Sequence, residues 1–94
     1  MTTETKGGRL AAQAGMLCQE PDFRLYLDHR RRWRESLTTA HLPDGTHSPE
    51  DAADTIRQAC GVTSRAQLDH VPDAAAMFDR IVQDYRRWRG RRGH

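Results

Sequence analysis

Ninety-four residues with 36% hydrophobic and 30% charged side chains make one domain with a thin core. No apolar run is long enough to cross a bilayer, and MTTETKGG at the start lacks a signal-peptide segment, so a cytosolic (cytoplasmic) location is expected. The net charge of +2 hides a segregated pattern. Residues 1–35 carry seven basic and five acidic groups, residues 36–79 two and seven, and residues 80–94 six and one. An acidic middle and a basic tail speak about partners more than about fold.

The first six residues are polar and expected to fray. After Gly7-Gly8, the stripe Leu10, Ala11, Ala14, Leu17, Cys18 has helical spacing and ends near Gln19. Gly15 weakens this helix but permits a close neighbour. Pro21 suits the first position of a second helix, with Asp22 in its first turn. Phe23, Tyr26, Leu27, Trp33 and Leu37 fall on one arc, with Arg30 inside it, so its stem is expected to pack. Residues 38–47 hold the turn signal Pro43-Asp44-Gly45 and no periodicity, with room for a short hairpin.

Ser48-Pro49-Glu50-Asp51 is the clearest local signal, with an N-cap hydroxyl, a proline at the first helical position and two early carboxylates. Ala52, Ala53, Ile56, Ala59 and Cys60 form the buried stripe, and Gly61 is read as a left-handed cap. Ser64 with Gln67 reads as a second capping box, opening a helix of about two turns. Pro72 opens the last helix, whose stripe is Ala75, Phe78, Ile81, Val82, Tyr85 and Trp88, with Gly90 as its expected end and residues 90–94 trailing off. The pattern predicts an all-α fold, a single compact bundle of about four to five helices across 1–94.

No phosphate loop, nucleophile elbow, HExxH or CxxC is present, and no carboxylate pair is marked as general acid and base. His29, His41, His47, His70 and His94 are scattered, and Cys18 and Cys60 read as apolar free thiols. No enzyme, metal or cofactor is expected. Two clusters interleave arginine with tryptophan, namely Arg30, Arg31, Arg32 and Arg34 around Trp33, and Arg86, Arg87, Arg89, Arg91 and Arg92 around Trp88. Such clusters can track phosphates and stack on bases. The favoured reading is that they are solvated cations at helix C-termini, with both tryptophans on the core stripes.

Residues 56–64 have a helix–glycine–turn rhythm, but Arg57 stands where a small residue is needed and Pro72 truncates the recognition helix. In the acidic middle, Glu50, Asp51 and Asp54 share one face, with Asp44 in the preceding loop. They act as dipole compensation or, more sharply, imitate phosphates before a basic groove on a partner. Candidate partner-binding residues are therefore Asp44, Glu50, Asp51, Asp54, Arg31, Arg32, Arg34 and Arg87.

The run Lys6-Gly7-Gly8-Arg9-Leu10-Ala11-Ala12-Gln13-Ala14-Gly15-Met16-Leu17-Cys18, then Pro21-Asp22-Phe23, followed by Asp51–Asp54, Cys60-Gly61-Val62 and Ser64–His70, resembles small phage and mobile-element proteins of Proteobacteria. Over about residues 6–89 it resembles the type I-F anti-CRISPR proteins, in particular the sixth-described family. That resemblance implies a non-enzymatic CRISPR-Cas inhibitor bound to the crRNA-guided Csy surveillance complex, at its Cas8f/Cas7f subunits, that blocks capture or unwinding of target DNA. Acidic groups would then stand in for phosphates in a basic channel (DNA mimicry), and the arginines could meet acidic or RNA-bearing parts. Neither a small-molecule substrate nor a membrane is expected, nor binding of free nucleic acid. The competing reading is a small nucleic-acid-binding or regulatory phage protein with a helix-turn-helix-like segment.

Overall fold

The computed structural model describes residues 8–92. Its elements are four α-helices, α1 (Arg9–Gln19), α2 (Pro21–Glu35), α3 (Pro49–Cys60) and α4 (Pro72–Arg92), with a 3-10 helix at Arg65–Asp69 between the last two. No strand occurs among the described residues, so the all-α bundle stands and the hairpin suggested for 38–47 does not form. That loop instead makes two turns, closed by Leu42 N–H on the Thr38 carbonyl and Thr46 N–H on the Pro43 carbonyl. Gly45 takes φ +91°, the conformation for which Pro-Asp-Gly selects glycine. The fraying expected of residues 1–6 lies outside the described residues.

The α1–α2 corner follows from a single proline. Glu20 precedes Pro21, is driven to extended backbone (φ −81°, ψ 122°), and so ends one helix and starts the next within one residue. Arg24 Nη1 then donates to the Cys18 carbonyl, one of those the end of α1 leaves unsatisfied. The sequence offers α1 no side-chain N-cap of its own. Asp69 supplies one from the 3-10 helix: its carboxylate accepts from the N–H groups of Gly8 (2.8 Å), Leu10 (2.9 Å) and Ala11 (3.0 Å). A Cβ on Gly8 would come within 3.2 Å of that carboxyl, so glycine there permits the close approach.

The Ser48 capping box forms as read: Asp51 N–H donates to Ser48 Oγ and Ser48 N–H to Asp51 Oδ2. Gly61 ends α3 at φ +70°, and Val62 N–H reaches back to the Arg57 carbonyl. The segment after Gly61 is shorter than expected, one 3-10 element in place of two α-turns. Its only fully buried side chain is Leu68. Residues with β-branched and polar side chains before it and Pro72 soon after leave no room for a longer helix.

The core gathers Ala14, Leu17 and Cys18 from α1, Phe23, Tyr26 and Leu27 from α2, Ala52 and Ile56 from α3, Leu68, and Ala74, Phe78, Ile81, Val82 and Tyr85 from α4. Each large member contributes about 1.5–3 kcal/mol by leaving water. Four details differ from the pattern reading. Ala74, not Ala75, is the fully buried alanine of α4. Leu37 lies beyond α2, which ends at Glu35 with Ser36 in a left-handed conformation. α4 does not stop at Gly90 but continues to Arg92. An interior glycine costs only ~1 kcal/mol, while Arg89 and Arg92 stack over Tyr85 and Trp88 at 5.2 and 4.9 Å and favour the helix C-terminus. Trp33, finally, is 83% exposed rather than part of the core.

Candidate functional site

The two arginine–tryptophan clusters, distant in the chain, meet in space. α2 and α4 lie against each other through Phe23 and Tyr85 (5.1 Å, edge to face), Tyr26 and Trp88 (5.8 Å) and His29 and Trp88 (5.2 Å, edge to face). Tyr26 donates to Asp84 at 2.6 Å and Tyr85 to Glu20 at 3.0 Å, which fixes the register of the contact. Burial, followed by those carboxylate bonds, pushes both phenols above their ordinary value, so they stay protonated donors.

Beyond Trp88 the hydrophobic contact gives out and a groove opens, lined by Tyr26, His29, Arg30, Trp33, Arg34 and Asp84 together with Trp88 and Arg91. Arg34 and Arg91 have no ion-pair or hydrogen-bond partner among the described residues, and neither does the indole of Trp33. Arg87 stands nearby with only a 3.5 Å contact to Asp84. His29 lies at the groove edge, 3.7 Å from Asp44. Burial, with help from Arg32, lowers its pKa below the usual imidazole value, so the ring is neutral near pH 7. The face combines unpaired guanidinium groups with an exposed indole, the composition that binds phosphates and stacks on flat rings.

The other candidates are placed differently. Arg32 was expected on the exposed cluster but is buried: Nη1 donates to the Leu42 carbonyl (2.7 Å) and Nη2 to Asp44 (2.8 Å). It pins the 36–48 loop to α2 through Asp44, whose Oδ1 takes the bond while the side chain stays 60% exposed. Arg31 is exposed and pairs with Glu35 at 3.4 Å along the helix. On α3, Asp51 is the N3 partner of the capping box, and the Ser48 backbone and hydroxyl bonds hold its carboxyl below the ordinary carboxylate value. Asp54 pairs with Arg57. Glu50 is exposed and has no hydrogen-bond or ion-pair partner among the described residues. The acidic face therefore carries one uncommitted carboxylate and two that already serve the helix.

Sequence reasoning missed a buried polar cluster. Asp28 is fully buried and accepts from Gly45 N–H (2.7 Å), His47 N–H (3.0 Å) and His47 Nδ1 (2.6 Å). The spacing of Asp28 and Arg32, four residues apart on the side of α2 away from Phe23, was the available signal, since an ion-bearing second face needs a cover. The helix-turn-helix-like segment is likewise used internally. Gln67 Oε1 accepts from Thr63 and Ser64 N–H, Asp69 caps α1, and Arg57 pairs with Asp54. Gln67 is thus engaged, and the element that would carry it and the exposed Arg65 is a 3-10 turn.

Among the described residues no group of three or more His, Cys, Asp or Glu side chains could hold a metal ion, and no helix is long and apolar enough to cross a membrane. Burial raises the thiol pKa of both Cys18 and Cys60, which keeps them in the unreactive form. No family model, no curated protein and no solved structure matches the chain.

Proposed function

We propose that this chain is a non-enzymatic binding protein that docks through the shared arginine–tryptophan end of α2 and α4 onto a phosphate-bearing macromolecule. Its partner is the crRNA-guided Csy complex of a type I-F system, where it prevents target DNA from being captured or unwound. The observation that carries the reading is that Arg34 and Arg91 line one groove with an indole, Trp33, that is 83% exposed. A lone indole of that size turned to water on a folded domain loses burial free energy, which contact with a partner restores.

The type I-F partner rests on the sequence resemblance, and the surface chemistry agrees with it, because crRNA in such a complex offers both phosphates and bases. Phosphate mimicry by the acidic face takes second place, since Asp51 and Asp54 are already bonded within α3 and Asp44 to Arg32.

Co-purification of the tagged protein with the assembled Csy complex tests the proposal, and Trp33→Ala should abolish retention while leaving the fold intact. Failure of the native protein to associate would remove the named partner. A second reading, binding of free nucleic acid, is favoured by the same exposed Trp33. Mobility shifts of single-stranded DNA or RNA at two salt concentrations separate the two, because a free-strand binder shows steep salt dependence without the complex.

A further inference from the structure

A second groove, of about 470 Å³, runs between α2 and α3 and is lined by Arg30, Arg31 and Arg34 on one side and His47, Thr55 and Gln58 on the other. Its size is that of a site for a small ligand. The lining is polar, and its three guanidinium groups are opposed by a single carboxylate, Glu35, which pairs with Arg31. Arg30 and Arg34 have no partner in this structure among the described residues.

His47 is the second, independent observation. Its side chain is 6% exposed, and its Nδ1 faces the wholly buried Asp28 carboxylate. An ionised carboxylate only accepts, so Nδ1 carries a proton and donates. The other ring nitrogen, Nε2, has no hydrogen-bond partner among the described residues, although buried polar atoms are nearly always bonded. Asp28, itself locked by two backbone N–H groups, fixes the ring in the wall of the groove.

We infer that the α2–α3 groove is a binding site for a phosphate group, held by Arg30, Arg31 and Arg34 and by Nε2 of His47. Guanidinium groups fork onto phosphate oxygens, and each such charge-assisted bond is stronger than a neutral one. His47 completes the set through Nε2, with Nδ1 held on Asp28. Gln58 supplies a further donor on the α3 side, whereas the Thr55 hydroxyl already donates to the Asp51 carbonyl. The ligand class is a phosphomonoester, either a small phosphorylated metabolite or the phosphorylated end of a strand. The site goes beyond the docking face above, with which it shares Arg30 and Arg34 but not Trp33, Trp88 or Arg91, and it needs no partner complex.

Titration calorimetry and phosphorus NMR on the isolated protein test it, with inorganic phosphate, a nucleoside monophosphate, and an oligonucleotide carrying either a 5′-phosphate or a 5′-hydroxyl. Saturable binding of inorganic phosphate is expected, with the 5′-phosphorylated strand favoured over its 5′-hydroxyl form. The double variant Arg30→Gln/Arg34→Gln, altered only at solvent-reaching side chains, should bind about tenfold weaker or worse, the loss of one charge-assisted contact at 1.4 kcal/mol per decade. His47→Gln should weaken binding similarly. Arg86→Gln, outside the groove, and Trp33→Ala should leave phosphate binding unchanged, which separates this site from the docking face. A monophosphate that binds as well as the phosphorylated strand identifies a small metabolite; a preference for the strand identifies its end. No saturable phosphate binding, equal binding of the two strand forms, or full affinity in the double arginine variant overturns the inference.

Discussion

The loop-and-α3 side of the molecule and the shared end of α2 and α4 are both crowded with charge, yet they use it in opposite ways. On the first side the charges are structural: Asp28 gathers Gly45 and His47, Arg32 ties down Leu42 and Asp44, Asp51 caps α3, and Asp54 holds Arg57. On the second, Arg34 and Arg91 have no partner among the described residues and Trp33 lies open to water. Composition showed the two sides as opposite in charge but not in how the charge is used. Counting where each donor and acceptor goes tells them apart, and it is the uncommitted groups that are available to another molecule.

The sharpest way to break this contrast is at Asp28. Asp28→Asn would turn an N–H toward buried donors and should lower stability by ~2–3 kcal/mol. Thermal unfolding should show a fall in Tm of about 10 °C or more. A shift of only a degree or two would mean that the loop is not held by this carboxylate. Next comes Arg32→Ala, which leaves the Leu42 carbonyl and Asp44 without their donor and should cost ~2 kcal/mol in chemical denaturation. Arg31→Ala, one position away but exposed, should stay within about 0.5 kcal/mol of the native protein. Equal effects of the two would dissolve the distinction between structural and free arginines.

Asp69 provides a smaller, pH-dependent test. The N–H groups of Leu10, Ala11 and Gly8 hold its carboxyl below the ordinary carboxylate value, Leu10 most strongly. Its folded pKa is therefore lower than its unfolded one. The stabilisation is complete above the unfolded value of about 3.9 and is lost as pH falls through the lower folded value. Asp69→Asn should lower Tm by roughly 5 °C at pH 7, with the gap to the native protein closing in acid. A gap that does not narrow as the pH falls would show that the carboxylate charge is not what caps α1. The smallest stability effects belong to Glu50→Lys and Trp33→Ala, each within about 0.5 kcal/mol, because neither side chain is buried or bonded.

Much of the fold was legible. Ser48-Pro49 opened α3, Gly61 closed it, Pro21 and Pro72 opened α2 and α4, and the apolar stripes gave most of the core. Each of these signals is local, with cause and effect inside one helical turn. What escaped the reading depends on distant chain. Asp69 caps a helix almost 60 residues earlier, and Asp28 is satisfied by a loop that the sequence shows only as aperiodic. Trp33 has the right angular position for the core stripe, but at its height along α2 the facing helix offers Arg91 in place of an apolar side chain. Periodicity gives the direction in which a side chain points. It does not say whether anything stands there to cover it.

The contrast between the two sides is tested most directly by binding to the assembled type I-F Csy complex, measured side by side for two variants of matched stability. Trp33→Ala/Arg34→Glu should lose at least tenfold in affinity, whereas Glu50→Lys/Asp54→Lys should bind like the native protein. Loss confined to the Glu50/Asp54 variant, with the Trp33/Arg34 variant unaffected, would move the docking surface to the acidic face of α3 and contradict the assignment made here.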